Sequence, residues 1–131
     1  MKTMQDFTRR NRITASAAKA KSNPNMSDGE WAADASHWLV TLERGDRSMD
    51  VPFSQGSAHT SPPTAEDVLD CMASDASGYE NARNYDDWAD EYGFTHCEHD
   101  AYRTIGEQTD KLRLMLGTKL FNALVWKTER L

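Results

Sequence analysis

Apolar and polar residues alternate on both sides of a glycine turn in the first half of the chain. In HWLVTLERGDRSMDVPF, Trp38, Val40 and Leu42 alternate with His37, Leu39 and Thr41, and Met49, Val51 and Phe53 alternate with Ser48, Asp50 and Pro52. This period of two around Arg44-Gly45-Asp46 predicts a β-hairpin, with Gly45 free to take a positive φ in the turn. One side of each strand then faces a core, so Trp38, Val40 and Leu42 are expected to be more buried than Thr41 and Glu43. Pro52 has no N–H for a ladder, which makes the second strand an edge or ends its pairing early.

Helical spacing takes over after the loop SQGSAHTSPP. Thr64 can cap a helix, and Asp67 three residues on completes a capping box with Asp in place of Glu. Val68, Leu69, Met72 and Ala76 fall on one face, and Ser77-Gly78 is the expected stop. Asn84 restarts the pattern: Tyr85, Trp88, Ala89 and Tyr92 form the apolar stripe of a short amphipathic helix, with Gly93 at the C′ position. Cys97, Ala101, Ile105, Gln108, Leu112 and Met115 or Leu116 then keep a three-and-four spacing over about five turns. Gly106 sits in the middle of that helix, where it is less favourable than Ala by about 1 kcal/mol. Gly117 breaks it, and Leu120, Phe121, Leu124 and Val125 mark a final short helix from Thr118.

The first 36 residues are weakly patterned, with Asn-Pro and Asp-Gly turn signals in KAKSNPNMSDGE. They read as an irregular basic arm that packs through Ile13 and Trp31. The expected organisation is therefore an arm over 1–36 and a single α+β domain over 37–131: a hairpin or small antiparallel sheet against three to four helices.

A length of 131 residues suits one core. The formal net charge of −6 argues against non-specific attraction to nucleic acid or anionic lipid. No stretch approaches the ~18 apolar residues of a membrane span. MKTMQDFTRRNRITASAAKAK has basic residues and no apolar run of the secretory kind. Cys71 and Cys97 are too few for a disulfide scaffold, and both are expected as reduced residues of a cytoplasmic protein, on apolar stripes. The charge is uneven: +5 over residues 1–22, −4 over 23–63, −10 over 64–100 and +3 over 101–131.

The acidic third centres on NYDDWADEYGF. Its carboxylates, Asp86, Asp87, Asp90 and Glu91, fall off the apolar stripe, and Glu66, Asp67 and Asp70 precede them. Catalysis by such groups needs two of them in one cleft with pKa values pushed apart, whereas an exposed helix face leaves them solvated. His96, Cys97, His99 and Asp100, with Cys71 in reach, are the densest set of potential metal ligands. Their spacing is not a standard zinc pattern, so no metal or other cofactor is expected. A nucleophile elbow is absent, and Cys71 in VLDCM reads as a small core residue. Arg44-Gly45-Asp46 matches the integrin tripeptide, but a hairpin turn accounts for it. The arm's Arg9, Arg10, Arg12, Lys19 and Lys21 could touch phosphates or dock on the acidic middle of the chain.

The run from HWLVTL through SMDVPFSQGS, PTAEDVLDCMASDASGYENA and DDWADEYGF to EQTDKLRLMLG, residues 36–117, resembles a group of small proteins encoded in bacteriophage and prophage genomes. THCEHDAYRT, after Phe94, departs from it. The resemblance implies a small protein acting on its host, in the host cytoplasm, by binding rather than by catalysis. Many such proteins block host defence, and anti-CRISPR proteins are the best-known set. Several are strongly acidic and occupy the Lys- and Arg-lined channels in which CRISPR effectors hold DNA. The expected partner is thus a host CRISPR effector rather than nucleic acid or membrane, contacted through Glu66, Asp67, Asp70, Asp86, Asp87, Asp90 and Glu91. Another host target, or a small metal-dependent enzyme built on His96, Cys97 and His99, are the alternatives.

Overall fold

The computed structural model describes residues 3–20, 35–56, 61–92 and 99–126. Helix α1 (Met4–Arg10) leads into strand β1 (Ile13–Ala20). Strands β2 (Ala35–Arg44) and β3 (Arg47–Gly56) follow, then helices α2 (Ala65–Asn81), α3 (Tyr85–Tyr92), α4 (His99–Leu116) and α5 (Thr118–Trp126). The strands form one antiparallel sheet in the order β1-β2-β3. The architecture is α+β, a three-stranded sheet with five helices among the described residues.

The hairpin has the register that its alternation predicts. Arg44 faces Arg47 across a two-residue Gly45-Asp46 turn, and Leu42, Val40 and Trp38 face Met49, Val51 and Phe53. Gly45 has φ 62°, which suits the first turn position of a tight hairpin. Val40 and Leu42 are wholly buried and Trp38 nearly so, while Leu39 on the other face is 43% exposed. Thr41 is half-buried and Glu43 exposed. β3 is an edge strand, as Pro52 requires.

The N-terminal segment corrects the reading of an irregular arm. Thr3 and Asp6 close a reciprocal capping box: Asp6 N–H donates to Thr3 Oγ1 at 3.1 Å, and Thr3 N–H donates to Asp6 Oδ2 at 3.2 Å. Met4 and Phe7 are thereby turned into the core. Arg12, at φ 57°, turns the chain, and β1 then pairs with β2 from Ile13↔Arg44 to Ala20↔His37. The strand is hard to read because its inner face is mostly alanine. Ala15 and Ala17 lie opposite the large Leu42 and Val40, so the apolar volume of that layer comes from β2. Ile13 is buried, as expected; Trp31 lies outside the described residues.

One face of the sheet meets α1, α2, α4 and α5 in a single core that includes Phe7, Leu42, Leu69, Leu112 and Phe121. α2 starts at the predicted capping box, with Thr64 N–H donating to Asp67 Oδ2 at 3.0 Å and Asp67 N–H to Thr64 Oγ1 at 3.3 Å. It does not stop at Ser77-Gly78 but runs to Asn81. Tertiary contacts override the local signal: Gly78 is buried, the Tyr79 ring lies 5.1 Å from that of Tyr102, and Glu80 pairs with Arg113. Gly106 is explained by the same layer. A Cβ there would stand 2.6 Å from the tip of the Tyr79 ring, so the glycine lets α2 and α4 approach.

Two arginines of the hairpin close the far end of α4. Arg44 Nη1 donates to the carbonyls of Met115 at 3.4 Å and Leu116 at 3.2 Å, and Arg47 Nη1 to that of Leu114 at 3.0 Å. These are carbonyls that a helix end leaves without partners, and positive charge there complements the helix dipole. The tripeptide at the turn thus has its arginine engaged within the fold.

Candidate functional site

Helix α3 gives the acidic stretch its geometry. Asn84 caps it: its Oδ1 accepts from Asp87 N–H at 3.0 Å, and its carbonyl accepts from Trp88 N–H at 3.1 Å. Trp88 and Ala89 are buried and Tyr85 is half-buried. Their rings join a cluster that ties three helices together. Tyr102 of α4 lies 5.4 Å from Trp88, 5.8 Å from Tyr85 and 5.1 Å from Tyr79 of α2, measured between ring centroids. The side chain of Tyr92 and residue Gly93 lie outside the described residues.

With that stripe turned inward, Asp86, Asp87, Asp90 and Glu91 are all solvent-exposed. Arg83 Nε stands 4.0 Å from Asp87 Oδ2, a loose and exposed pair. Among the described residues no cation pairs with Asp86, Asp90 or Glu91. Asp86 and Asp87 occupy the first turn, where the helix dipole favours negative charge.

The carboxylates of α2 form a separate group. Glu66 is half-buried, and Asp67 and Asp70 are exposed, but Asp67 already serves the capping box. The α3 rings are tied to Tyr79 near the C-terminal end of α2. Asp70 stands nine residues before Tyr79, roughly 13 Å back along the helix at its ordinary rise. The seven acidic residues are therefore two groups on two helices rather than one array.

Cys71 is not a core residue. It is exposed, on the side of α2 away from the stripe, and is a free thiol. Partial burial, and then the carboxylates of Asp75, Asp70 and Asp67, push the thiol pKa up. A thiol held in its protonated form is a poor nucleophile. Cys97 and His96 lie outside the described residues, as do the side chains of His99 and Asp100. Among the described residues no three His, Cys, Asp or Glu side chains are grouped to hold a metal ion.

A second feature went unread in the sequence. Between β3, α2 and α4 lies a cavity of about 250 Å³, walled by Val51, Met72, Ile105 and Leu112 and holding the polar groups of Asp75, Gln108 and Thr109. Burial raises the Asp75 carboxyl from its ordinary 3.8 to about 6. The available signal was position: Asp75 sits three residues after Met72 and one before Ala76, at the margin of the apolar stripe, and Gln108 lies within the stripe of α4.

Asp75 also makes stability depend on pH in an unusual direction. Its folded-state pKa lies above the unfolded one, so between pH 3.8 and about 6 the folded chain binds more protons. Its contribution to stability is favourable below that window and is lost as pH rises through it. Asp75→Asn is expected to stabilise the fold at pH 7.5 by about 1–2 kcal/mol, after allowance for partial exposure, and to make much less difference near pH 4, at the lower edge of the window. Urea unfolding of parent and variant at both pH values measures this; an equal difference at the two would contradict it.

No protein family, curated protein or solved structure matches the chain. No helix among the described residues is long and apolar enough to cross a membrane.

Proposed function

We propose that this is a non-enzymatic binding protein that sets the acidic face of α3 against a Lys- and Arg-lined surface of a partner and so competes with nucleic acid for it. The observation that carries this reading is the geometry of α3. Four carboxylates project from a helix whose opposite face is anchored by a buried Trp88, and three of them have no cationic partner among the described residues. A field of fixed charge on an anchored helix gives electrostatic complementarity without an ordering penalty on that helix. The resemblance to small phage-encoded proteins, many of which block host defence, makes a host CRISPR effector the partner of first choice, since such effectors bind the nucleic-acid backbone through basic channels.

The test is a variant carrying D86N, D87N, D90N and E91Q. Its melting temperature is expected to stay close to that of the parent. Exposed charges contribute little, and the cap uses the backbone of Asp87 and the side chain of Asn84. Affinity for the sensitive member of a panel of purified CRISPR effectors is expected to fall at least tenfold at low salt. The parent's own affinity is expected to decline as salt rises. Equal binding by parent and variant would reduce the acidic stretch to a solvated helix face.

A further inference from the structure

The cavity beside Asp75 has the chemistry of a binding site, and its content of donors and acceptors is unbalanced. Thr109, itself buried, already donates its hydroxyl proton to the carbonyl of Ile105 at 2.7 Å. Gln108 Oε1 is buried, and among the described residues no donor reaches it. Asp75 brings a half-buried carboxylate, and the residues lining the cavity include no cation. A buried acceptor without a donor is unfavourable. The rest of the wall is apolar. A complementary ligand has an apolar body and a compact head with several N–H donors.

We propose that this cavity is a binding site for an alkylammonium group, with the aliphatic stem against Val51, Met72, Ile105 and Leu112 and the ammonium between Asp75 and Gln108. The size fits. A dry cavity of about 150 Å³ holds benzene, so about 250 Å³ accommodates a stem of four to six carbons with its head. The ammonium supplies three donors; they serve the Asp75 carboxylate directly, and the Gln108 amide oxygen, which has almost no accessible surface as it stands, once its side chain turns toward the ligand. A lone half-buried carboxylate attracts a cation more strongly than one in water, because the surrounding dielectric is lower. The same chemistry is carried by a free amine and by a lysine side chain of a partner protein. The site is argued from the cavity alone and does not depend on the α3 reading.

Titration of the full chain with n-hexylammonium at pH 7.5, followed by ¹H–¹⁵N NMR, tests the site. Saturable shifts are expected at the Gln108 side-chain amide and at the backbone of Asp75 and Ile105, with a dissociation constant in the millimolar range or below. n-Hexanol, which keeps the stem and loses the charge, is expected to bind at least tenfold more weakly. Asp75→Asn is expected to weaken hexylammonium at least tenfold while remaining folded. Ala101→Leu, which fills the cavity from the α4 side, is expected to abolish the shifts. A peptide with one central lysine distinguishes the sources: tighter binding than the free amine assigns the site to a protein side chain, and weaker binding assigns it to a small amine. Absence of saturable shifts in the parent at hexylammonium concentrations well above the millimolar range, or unchanged affinity in Asp75→Asn, would overturn the proposal.

Discussion

Replacing Trp88 by alanine is expected to lower the folding free energy by about 3–5 kcal/mol. Trp88 is 1% exposed and heads the largest fully buried side chains of the described residues. It carries α3 into contact with α4 through Tyr102, which in turn touches Tyr85 and Tyr79. Truncation removes the largest apolar surface that this eight-residue helix contributes. It also leaves a hole among rings that belong to three different helices, which limits how far the site can collapse. A small domain has ~5–15 kcal/mol in total, so the loss is a large share of it. Urea unfolding reads the change directly, with the midpoint moving down and the slope nearly constant. A loss below 1 kcal/mol would mean that α3 is only loosely attached. The variant also separates two roles. Trp88→Ala disturbs the presentation of Asp86, Asp87, Asp90 and Glu91 together with the fold, whereas neutralising those four is expected to change binding alone.

Arg113→Ala is expected to destabilise the fold by about 2–3 kcal/mol. Arg113 joins three helices from its place on α4. It pairs with Glu80 near the end of α2 and with Asp110 one turn back at 3.1 Å, and its guanidinium lies 4.5 Å from the centre of the Phe121 ring of α5. The Asp110 pair is exposed and worth only a few tenths. The Glu80 pair and the ring contact are partly shielded, and there a charge-assisted hydrogen bond is worth about 1.5–3 kcal/mol and a cation–π contact about 0.5–1, before discounting for overlap. Glu80 would also be left half-buried without its cation. A double-mutant cycle of Arg113→Ala with Glu80→Gln is expected to give a coupling of about 1 kcal/mol. Purely additive losses would show that the pair is incidental and that packing on Phe121 carries the effect.

These two residues differ in how far the sequence exposes their roles. The burial of Trp88 follows from its neighbours, because Tyr85, Trp88, Ala89 and Tyr92 can share a helix face in only one way. Nothing near Arg113 points to Glu80, which is 33 positions away. The same division holds for the candidate sites. The exposure of Asp86, Asp87, Asp90 and Glu91 is a consequence of helical period. The separation of Asp67 and Asp70 from them depends on where α3 docks along α2, and the cavity at Asp75 exists only because β3, α2 and α4 meet there.

Strong local patterns set the hairpin and its register, the capped starts of α2 and α3, the break at Gly117 and the α+β class. Each is a short-range matter of alternation, spacing or a capping side chain, and the chain states it within a few residues. Tertiary structure decided what those patterns leave open. It drew the N-terminal segment into the sheet as β1, because small alanines suffice opposite Leu42 and Val40. It carried α2 past Gly78 to Asn81, because Tyr79 and Glu80 find partners on α4. It gave Gly106 its place under the Tyr79 ring, put Cys71 outside the core and half-buried Asp75 in an apolar cavity. In each case the deciding contact lies far away along the chain, where side-chain volume and charge act only after the helices and the sheet have come together.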